Sequence, residues 1–417
     1  MKRYSGRADV AVIGAGPAGM MAAIRAAQNG ASVLLLERNP SAGRKLLMTG
    51  KERCNITHHE PDPRVFARHF GSSGKFLLPA LFHFGATQTV AFFNQNGLPT
   101  QIERGDRVFP QSGRAQDVLE LLLRLLRKDK VELLTNVHVQ SFEITNRNID
   151  KILLQNGEIL AKNIIIATGG RSYPKTGATG DGYTWAGNFG HTIVEPVPAL
   201  TPILVKEKYV ADLEGLALKN VRITVIQNSR KQDDRFGEAF FMGNGLNGPI
   251  VLDISKKVGE LLGSGDVTLL LDLKPALDFT KLDNRLIREF EKHNTQKIEK
   301  ALSTLLPKKL IPVILKLADI GTDQPCNTIS KKERKKLRRL LKELPFTVKS
   351  LVGFKKAVIT AGGISLKEID PQSMRSKIID NLFFAGEIID LDGPTGGYNL
   401  QECWSTGYVA GENAGKE

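Results

Sequence analysis

Apolar and polar positions along this chain follow two periodicities, and their alternation predicts a layered α/β protein interrupted in its middle. Residues 10–13 form a first apolar run that breaks into Gly14-Ala15-Gly16-Pro17-Ala18-Gly19. A helix-compatible stretch follows to Asn29, Gly30 stops it, and a second apolar run at 33–36 ends on Glu37. The order is strand, glycine turn, helix, strand, acid. Helical stretches then alternate with turns over residues 64–96, and residues 116–128 read as a strongly apolar helix with a basic end. Residues 131–139 read as a strand. Residues 142–160 read as a meander turning at Asn146-Arg147-Asn148 and Asn156-Gly157. Residues 163–170 are a buried-strand run that ends in Ala167-Thr168-Gly169-Gly170, and a glycine-rich loop and short helix follow to residue 191.

The pattern changes at Pro196-Val197-Pro198. Alternation such as Val221-Arg222-Ile223-Thr224-Val225 predicts a β-rich unit over 200–275, and residues 276–344 turn helical. Ser330 and Glu333 form a capping box, Leu337, Leu340, Leu341 and Leu344 follow at helical spacing, and Pro345 ends the helix. Lys331, Lys332, Lys335, Arg338, Arg339 and Lys342 are placed on its outer face. The chain then returns to α/β, with short apolar runs at 358–363 and 382–387, a loop at 390–399 and a helix over 400–415. Gly407, Ala410, Gly411 and Ala414 give that helix a small-residue face. The resulting division is 1–195 and 357–417 as one nucleotide-binding domain built from both ends. Residues 196–275 are an inserted β-rich domain, 276–344 a basic helical domain, and 345–356 a return strand of the β-rich one.

Each part of the first motif has a physical task. Gly14 permits a tight turn, Gly16 lets a diphosphate approach the backbone, and Gly19 allows close helix–strand packing. The helix N-terminus, opened by Pro17 and Ala18, offers unpaired N–H groups and a positive dipole end to phosphates. Glu37, 18 residues after Gly19, stands where an acid accepts hydrogen bonds from an adenosine ribose and disfavours a 2′-phosphate. In the loop that follows, Arg44 and Lys45 have two readings, as partners of cofactor phosphates or substrate and as solvated basic residues.

At 417 residues the chain exceeds one ordinary core, which supports the multi-domain reading. The N-terminal stretch MKRYSGRADV has no apolar segment, so no signal peptide is expected, and no run approaches 18 uninterrupted apolar residues. Three widely spaced cysteines without a CxxC pair indicate neither zinc nor a dithiol, and fit a reducing, cytoplasmic setting. Charge changes the picture more. Residues 281–350 hold 18 Lys+Arg against 8 Asp+Glu, a net of +10 out of +14 for the chain. A polyanion such as RNA is therefore a candidate partner.

With these pieces in order, the chain resembles the BaiN/RdsA family of NAD(P)/FAD-dependent oxidoreductases, two-dinucleotide-binding-domain flavoproteins. The carrying residues are GAGPAG (14–19), Glu37, GRKLLMTGKERCNIT (43–57), ATGGRSYPKTGATGDGY (167–183), VITAGG (358–363) and the block 383–415. The resemblance implies a Rossmann-like fold with FAD in the Gly14–Gly19 turn. It implies further cofactor contacts at Arg38, Arg44, Lys45, Gly50, Cys54 and Asn55, and at Val137, Thr168 and Gly169. It places Gly386 and Glu387 near the ribityl and phosphate groups, and Gly397, Asn399 and Leu400 at the flavin pyrimidine. Members of the family are associated with reduction of uridine to dihydrouridine in ribosomal RNA. Two departures stand out. The family's TGGGRCN loop reads Gly50-Lys51-Glu52-Arg53-Cys54-Asn55, and the histidine of its FTHxGxSGP motif is absent from residues 241–249. A mechanism needing that histidine does not carry over.

Cys54 has two readings. Arg53 and Lys51 would lower its pKa and make it a redox or proton-donating group, or it is a small buried residue in a cofactor loop. Tyr173, Tyr183 and Tyr398 are candidate active-site hydroxyls, whereas His191 and His138 read as structural. No second GxGxxG follows a strand, so reduced nicotinamide, if used, docks transiently. Three functions stay open: a flavin reductase acting on ribosomal RNA uridine, one acting on a small enone or amine, and a flavin-binding scaffold.

Overall fold

The computed structural model describes residues 4–416, so the first three residues of the stretch read for a leader lie outside it. The chain divides into two compact units. One comprises Met1–Pro198 and Val358–Glu417, the other Ala199–Ala357.

The first unit is organised on a mostly parallel sheet. Strand β1 (Tyr4–Ile13), helix α1 (Pro17–Gln28) and strand β2 (Val33–Leu36) form the expected βαβ unit. In the sheet, Glu132–Leu134 lies beside β2, then β1, then Gly157–Ile166. Leu382–Phe384 joins the far end of that last strand in parallel, pairing with Ile164–Ile166. Val10, Ala11, Val12, Leu35 and Ile164–Ile166 are wholly buried, which is why these strands read as unbroken apolar runs. The hairpin of Val139–Thr145 and Asn148–Leu154 extends the sheet antiparallel.

Two strand assignments differ from expectation. The strand expected over 131–139 covers only Glu132–Leu134. Beyond it, Asn136 takes φ +57°, and the amides of Asn136 and Val137 turn away to bond the carbonyls of Asn39 and Glu37. The meander's last strand and the run into Ala167-Thr168 are one strand, Gly157–Ile166.

The C-terminal helix, Tyr398–Ala414, starts two residues earlier than expected, after Gly397 at φ +105°. Its small-residue face meets α1. A Cβ at Gly407 would overlap the Ala18 carbonyl, and one at Gly411 the Ala22 carbonyl one turn later. Backbones this close leave no room for side chains between them. The segment Gly71–Gln95 is apolar enough to cross a membrane by length and composition. Here it is two helices, Gly74–His83 and Ala86–Gln95, whose Leu77, Ala80, Leu81 and Phe93 enter the core.

In the second unit six strands close an antiparallel barrel. Their order is Ile203–Val205, Gly245–Asn247, Arg230–Met242, Ala217–Gln227, Thr268–Asp272 and Leu344–Leu351. Helix Pro249–Leu262 lies inside the stretch read as β-rich. The helices Phe279–Lys292, Ile311–Ala318 and Lys331–Lys342 share one hydrophobic core with the barrel, which joins Leu286, Leu315, Leu337 and Leu341 to Leu269, Leu271 and Phe346. The helical stretch is thus the cover of the barrel, not a domain of its own. Ser330 and Glu333 cap the last helix reciprocally. Leu344, read as its final apolar position, is instead the first residue of the closing barrel strand.

The outer face of that helix is narrower than its sequence suggests. The Lys342 side chain is only 9% exposed, and its ammonium meets Asp272 at 2.6 Å and the carbonyls of Lys274 and Leu277. Arg338 turns to Asp283 at 3.7 Å and lies over the Phe279 ring. Lys331, Lys332, Lys335, Lys336 and Arg339 remain exposed.

Candidate cofactor site

The turn after β1 is held from three sides. Gly14 has φ +105° and donates to the Leu36 carbonyl; a Cβ there would stand 2.5 Å from the Ala167 carbonyl oxygen. At Gly19 a Cβ would overlap the Gly14 carbonyl, so this glycine lets α1 begin directly against the turn. Gly16 differs from both. It has an extended backbone, caps α1 without a side-chain bond, and has nothing within 4 Å of a would-be Cβ. With Pro17 at the start of α1, the helix presents its free N–H groups to open space.

Glu37 is buried at the end of β2. Its Oε2 accepts from the Ala15 amide at 3.1 Å, and its Oε1 from the amide and side chain of Asn39. Asn39 also takes up Arg44 and reaches the Thr176 carbonyl. Val137 is brought in through its bond to the Glu37 carbonyl. Arg38 bonds Thr179 and Asp181, which ties the glycine-rich loop to the end of β2.

A second cluster surrounds Glu387. Lys45 donates to Glu387 Oε2 and to Ser172 Oγ, and Oε1 accepts from Ser172 Oγ at 2.9 Å and the Thr360 amide at 2.9 Å. Lys45 is therefore not a solvated loop residue but the counter-charge of Glu387. Gly386 has φ +76°, and its amide donates to Thr406 Oγ1 in the C-terminal helix. Gly169, at φ +70°, faces open space, and the buried Thr168 hydroxyl has no partner.

The third cluster lies at the start of the C-terminal helix. A Cβ at Gly397 would overlap the Thr57 carbonyl carbon, which locks this turn to residues 57–58. Asn399 bonds the amide and carbonyl of Gly393 and so shapes the preceding loop; Leu400 is half-buried beside it. Tyr398 is buried among rings, with His58 stacked at 4.7 Å and His69 at 4.5 Å between centroids. Burial lowers both imidazoles below their ordinary pKa. Gly50 (φ +57°) packs on the Asn55 amide, and the buried Asn55 Oδ1 has no partner.

These observations test the cofactor implied by the resemblance. Open space at Gly16 and Gly169, two helix N-termini without side-chain caps, and unpartnered buried oxygens on Asn55 and Thr168 match a dinucleotide laid from Glu37 to Gly397. The residues fit FAD.

Not every candidate joins the site as read. Cys54 is fully buried, and burial pushes its thiol up to about 12. Arg53 does not activate it, because its guanidinium is paired with Glu103 and lies over the Phe109 ring. Cys54 is a packing residue. Tyr173 is half-buried at φ +50° beside Ser172, and burial raises its phenol. Tyr183 donates to the Glu387 carbonyl. His191 bonds Ser376, a structural role, and His138 is exposed. The sequence reading missed Asn39, Ser172 and Thr360, which orient the two acids. Each lies beside a quoted motif or within one, and a small polar residue at or just beyond the C-terminal end of an apolar run is the available signal. His58 and His69 carry no motif at all.

Residues 8–413 match the model of the HI0933-like protein Rossmann domain. The chain is 31% identical over 409 residues to the 3-dehydro-bile acid delta(4,6)-reductase of Clostridium scindens, covering 97% of this chain and 98% of that one. It is 30% identical over 414 residues to the ribosomal RNA dihydrouridine synthase of Haemophilus influenzae, covering 98% of each. Among solved structures, the 3-ketosteroid-delta4-(5alpha)-dehydrogenase of Rhodococcus jostii superposes with a TM-score of 0.54 at 16% identity, over 99% of this chain and 97% of that one. That likeness concerns the fold alone. Glycine turn, paired acids and returning C-terminal helix all lie within the matched span, and the chain belongs to the HI0933-like family of Rossmann, FAD-binding flavoproteins.

Proposed function

We propose that this chain is an FAD-dependent reductase of carbon–carbon double bonds conjugated to a carbonyl, recharged by transiently bound NAD(P)H, with ribosomal RNA uridine as its substrate. The cofactor cradle carries the redox part. The substrate class rests on what the two relatives' names have in common. A 3-dehydro delta(4,6) steroid and a uracil ring each hold a double bond conjugated to a carbonyl. Bound FAD supplies the hydride equivalent in such a reduction. The chain's own residues do the rest. The N-terminus of α1 holds the diphosphate, Glu37 the adenosine ribose, and the N-terminus of the C-terminal helix faces negative charge at the pyrimidine, worth about 1 kcal/mol. The group of Tyr398, His58 and His69 is the source of the proton for the substrate carbon, in place of the histidine missing from residues 241–249.

RNA is favoured by the exposed lysines of the Lys331–Lys342 helix. A small enone is the second reading, favoured by the internal pairing of Arg338 and Lys342, which shrinks the polyanion face. The test is RNA affinity against salt. Each phosphate contact contributes about −0.7 to −0.9 to the log–log slope. Lys331, Lys332 and Lys335 changed together to Glu should weaken binding and flatten the slope, with NAD(P)H-driven flavin reduction unchanged. Salt-independent RNA binding, with full turnover of a small enone by the triple variant, moves the substrate to the second reading. A flavin that NAD(P)H does not reduce leaves only a scaffold.

A further inference from the structure

Glu402 lies in the first turns of the C-terminal helix and is 2% exposed. Its surroundings do not suit a carboxylate. Oε1 is buried and accepts no hydrogen bond, Oε2 receives the Cys403 thiol at 3.6 Å, and the Thr406 hydroxyl also lies against the carboxyl. Lys45, the cation facing it, is already bonded to Glu387 and Ser172. Glu387 faces it with like charge, and Tyr183, which also faces it, spends its hydroxyl on the Glu387 carbonyl. Burial, then repulsion from Glu387, pushes the Glu402 carboxyl up to about 8. Cys403 is raised well above its ordinary value by the same burial, so it is no counter-charge.

The position is equally specific. Cys403 Sγ stands 3.5 Å from where a Cβ at Gly386 would be, and the Ala18 methyl 2.7 Å from the same point. These contacts place Cys403, and Glu402 is tied to the same turn through Thr406, whose hydroxyl accepts from the Gly386 amide and donates to the Glu402 carbonyl. The first turns of the C-terminal helix, the Gly386-Glu387 turn and the start of α1 are the elements that hold the middle of the dinucleotide.

We propose that Glu402 is a cofactor-contacting acid that keeps its proton and donates it from Oε1 to an oxygen of the ribityl–diphosphate portion of FAD. The proposal rests on the FAD reading and deepens it. A protonated acid supplies the O–H that its lone oxygen and an incoming phosphate or ribityl oxygen both require, whereas a carboxylate would repel the diphosphate. Bound FAD, being anionic, raises the acid further, so FAD and one proton bind together. Affinity is then flat below the pKa of the free protein and falls as pH rises above it, up to tenfold per unit, because the free form must regain its proton.

The test is calorimetric titration of the full-length protein, freed of FAD, with FAD at pH 8.5–9 in two buffers of different ionisation enthalpy. Wild type should take up close to one proton per FAD. Glu402→Gln keeps a donor that does not titrate, so it should bind FAD with no uptake and with a flat profile from pH 7 to 9. Proton uptake absent in wild type overturns the proposal without recourse to any variant, as does equal uptake in Glu402→Gln. Failure of FAD to bind at any pH overturns the FAD reading itself, a distinguishable result.

Discussion

The cofactor cradle and the Lys331–Lys342 helix are both conspicuously polar in sequence, and the structure treats their polar groups in opposite ways. Along the helix, cations find protein partners: Lys342 on Asp272, Lys336 on Asp319, Arg334 and Arg338 on Asp283, Arg339 on Glu343. What remains free is exposed to water. In the cradle Asn55, Thr168 and Glu402 each bury an oxygen with no partner among the described residues, whereas on the helix the buried atom left so is the Arg338 Nε. A buried unsatisfied oxygen costs roughly 1–3 kcal/mol; Thr201, Glu207 and Glu289 of the other unit carry such oxygens too, so the three in the cradle point to a ligand only together with the open space at Gly16 and Gly169. Charge density points far less directly, since exposed ions contribute little and pair readily.

Glycines give the sharpest break of this comparison. Gly16 and Gly411 are the same residue type near the two ends of the chain, one facing open space and the other a carbonyl. Gly16→Val fits its extended backbone, so melting of the FAD-free protein should stay unchanged while FAD affinity falls at least 100-fold, about 2.7 kcal/mol. Titration of FAD fluorescence reads this directly. Unchanged affinity would mean that the diphosphate lies elsewhere. Lys342→Met probes the opposite region, where it leaves the partly buried Asp272 without its cation. A loss near 3 kcal/mol is expected in denaturant titration. A neutral result would show that the pair is solvated after all. Gly411→Val should overpack α1 against the C-terminal helix, costing about 2 kcal/mol, with FAD loss only in proportion to unfolding.

Which parts were legible follows from range. The βαβ unit declared itself because three local rules coincide within residues 10–37: an apolar period, glycines where the backbone turns, and an acid at a strand end. The returning helix was legible for the same reason, since Gly407 and Gly411 lie one turn apart. The orienting partners were not. Ser172, Thr360 and Lys45 converge on Glu387 from positions up to 342 residues away, and no local pattern encodes such a meeting. Lys342 shows a subtler failure. Helical spacing places it beside Leu341, at the border of the apolar stripe, and a long side chain at a border can turn either way. Asp272, on a barrel strand, decides it. Cys54 failed through the same blindness, because burial outweighs the cations next to it in sequence.

The smallest expected effect tests the exposed half of the charged helix. Among the described residues no hydrogen bond or ion pair fixes Lys331, Lys332 or Lys335, and Ser330 with Glu333 already caps the helix without their help. Changing all three to Gln should alter folding stability by no more than about 0.5 kcal/mol at moderate salt. The sign should lean toward stabilisation, since three like charges on adjacent turns repel one another and glutamine is nearly as good a helix former as lysine. Lower salt should enlarge the gain, because repulsion between exposed charges is less screened there. A loss above 1 kcal/mol would mean that these lysines are structural like Lys342. A small gain, alongside weaker polyanion binding, would leave attraction to a partner as the reason the chain tolerates the repulsion.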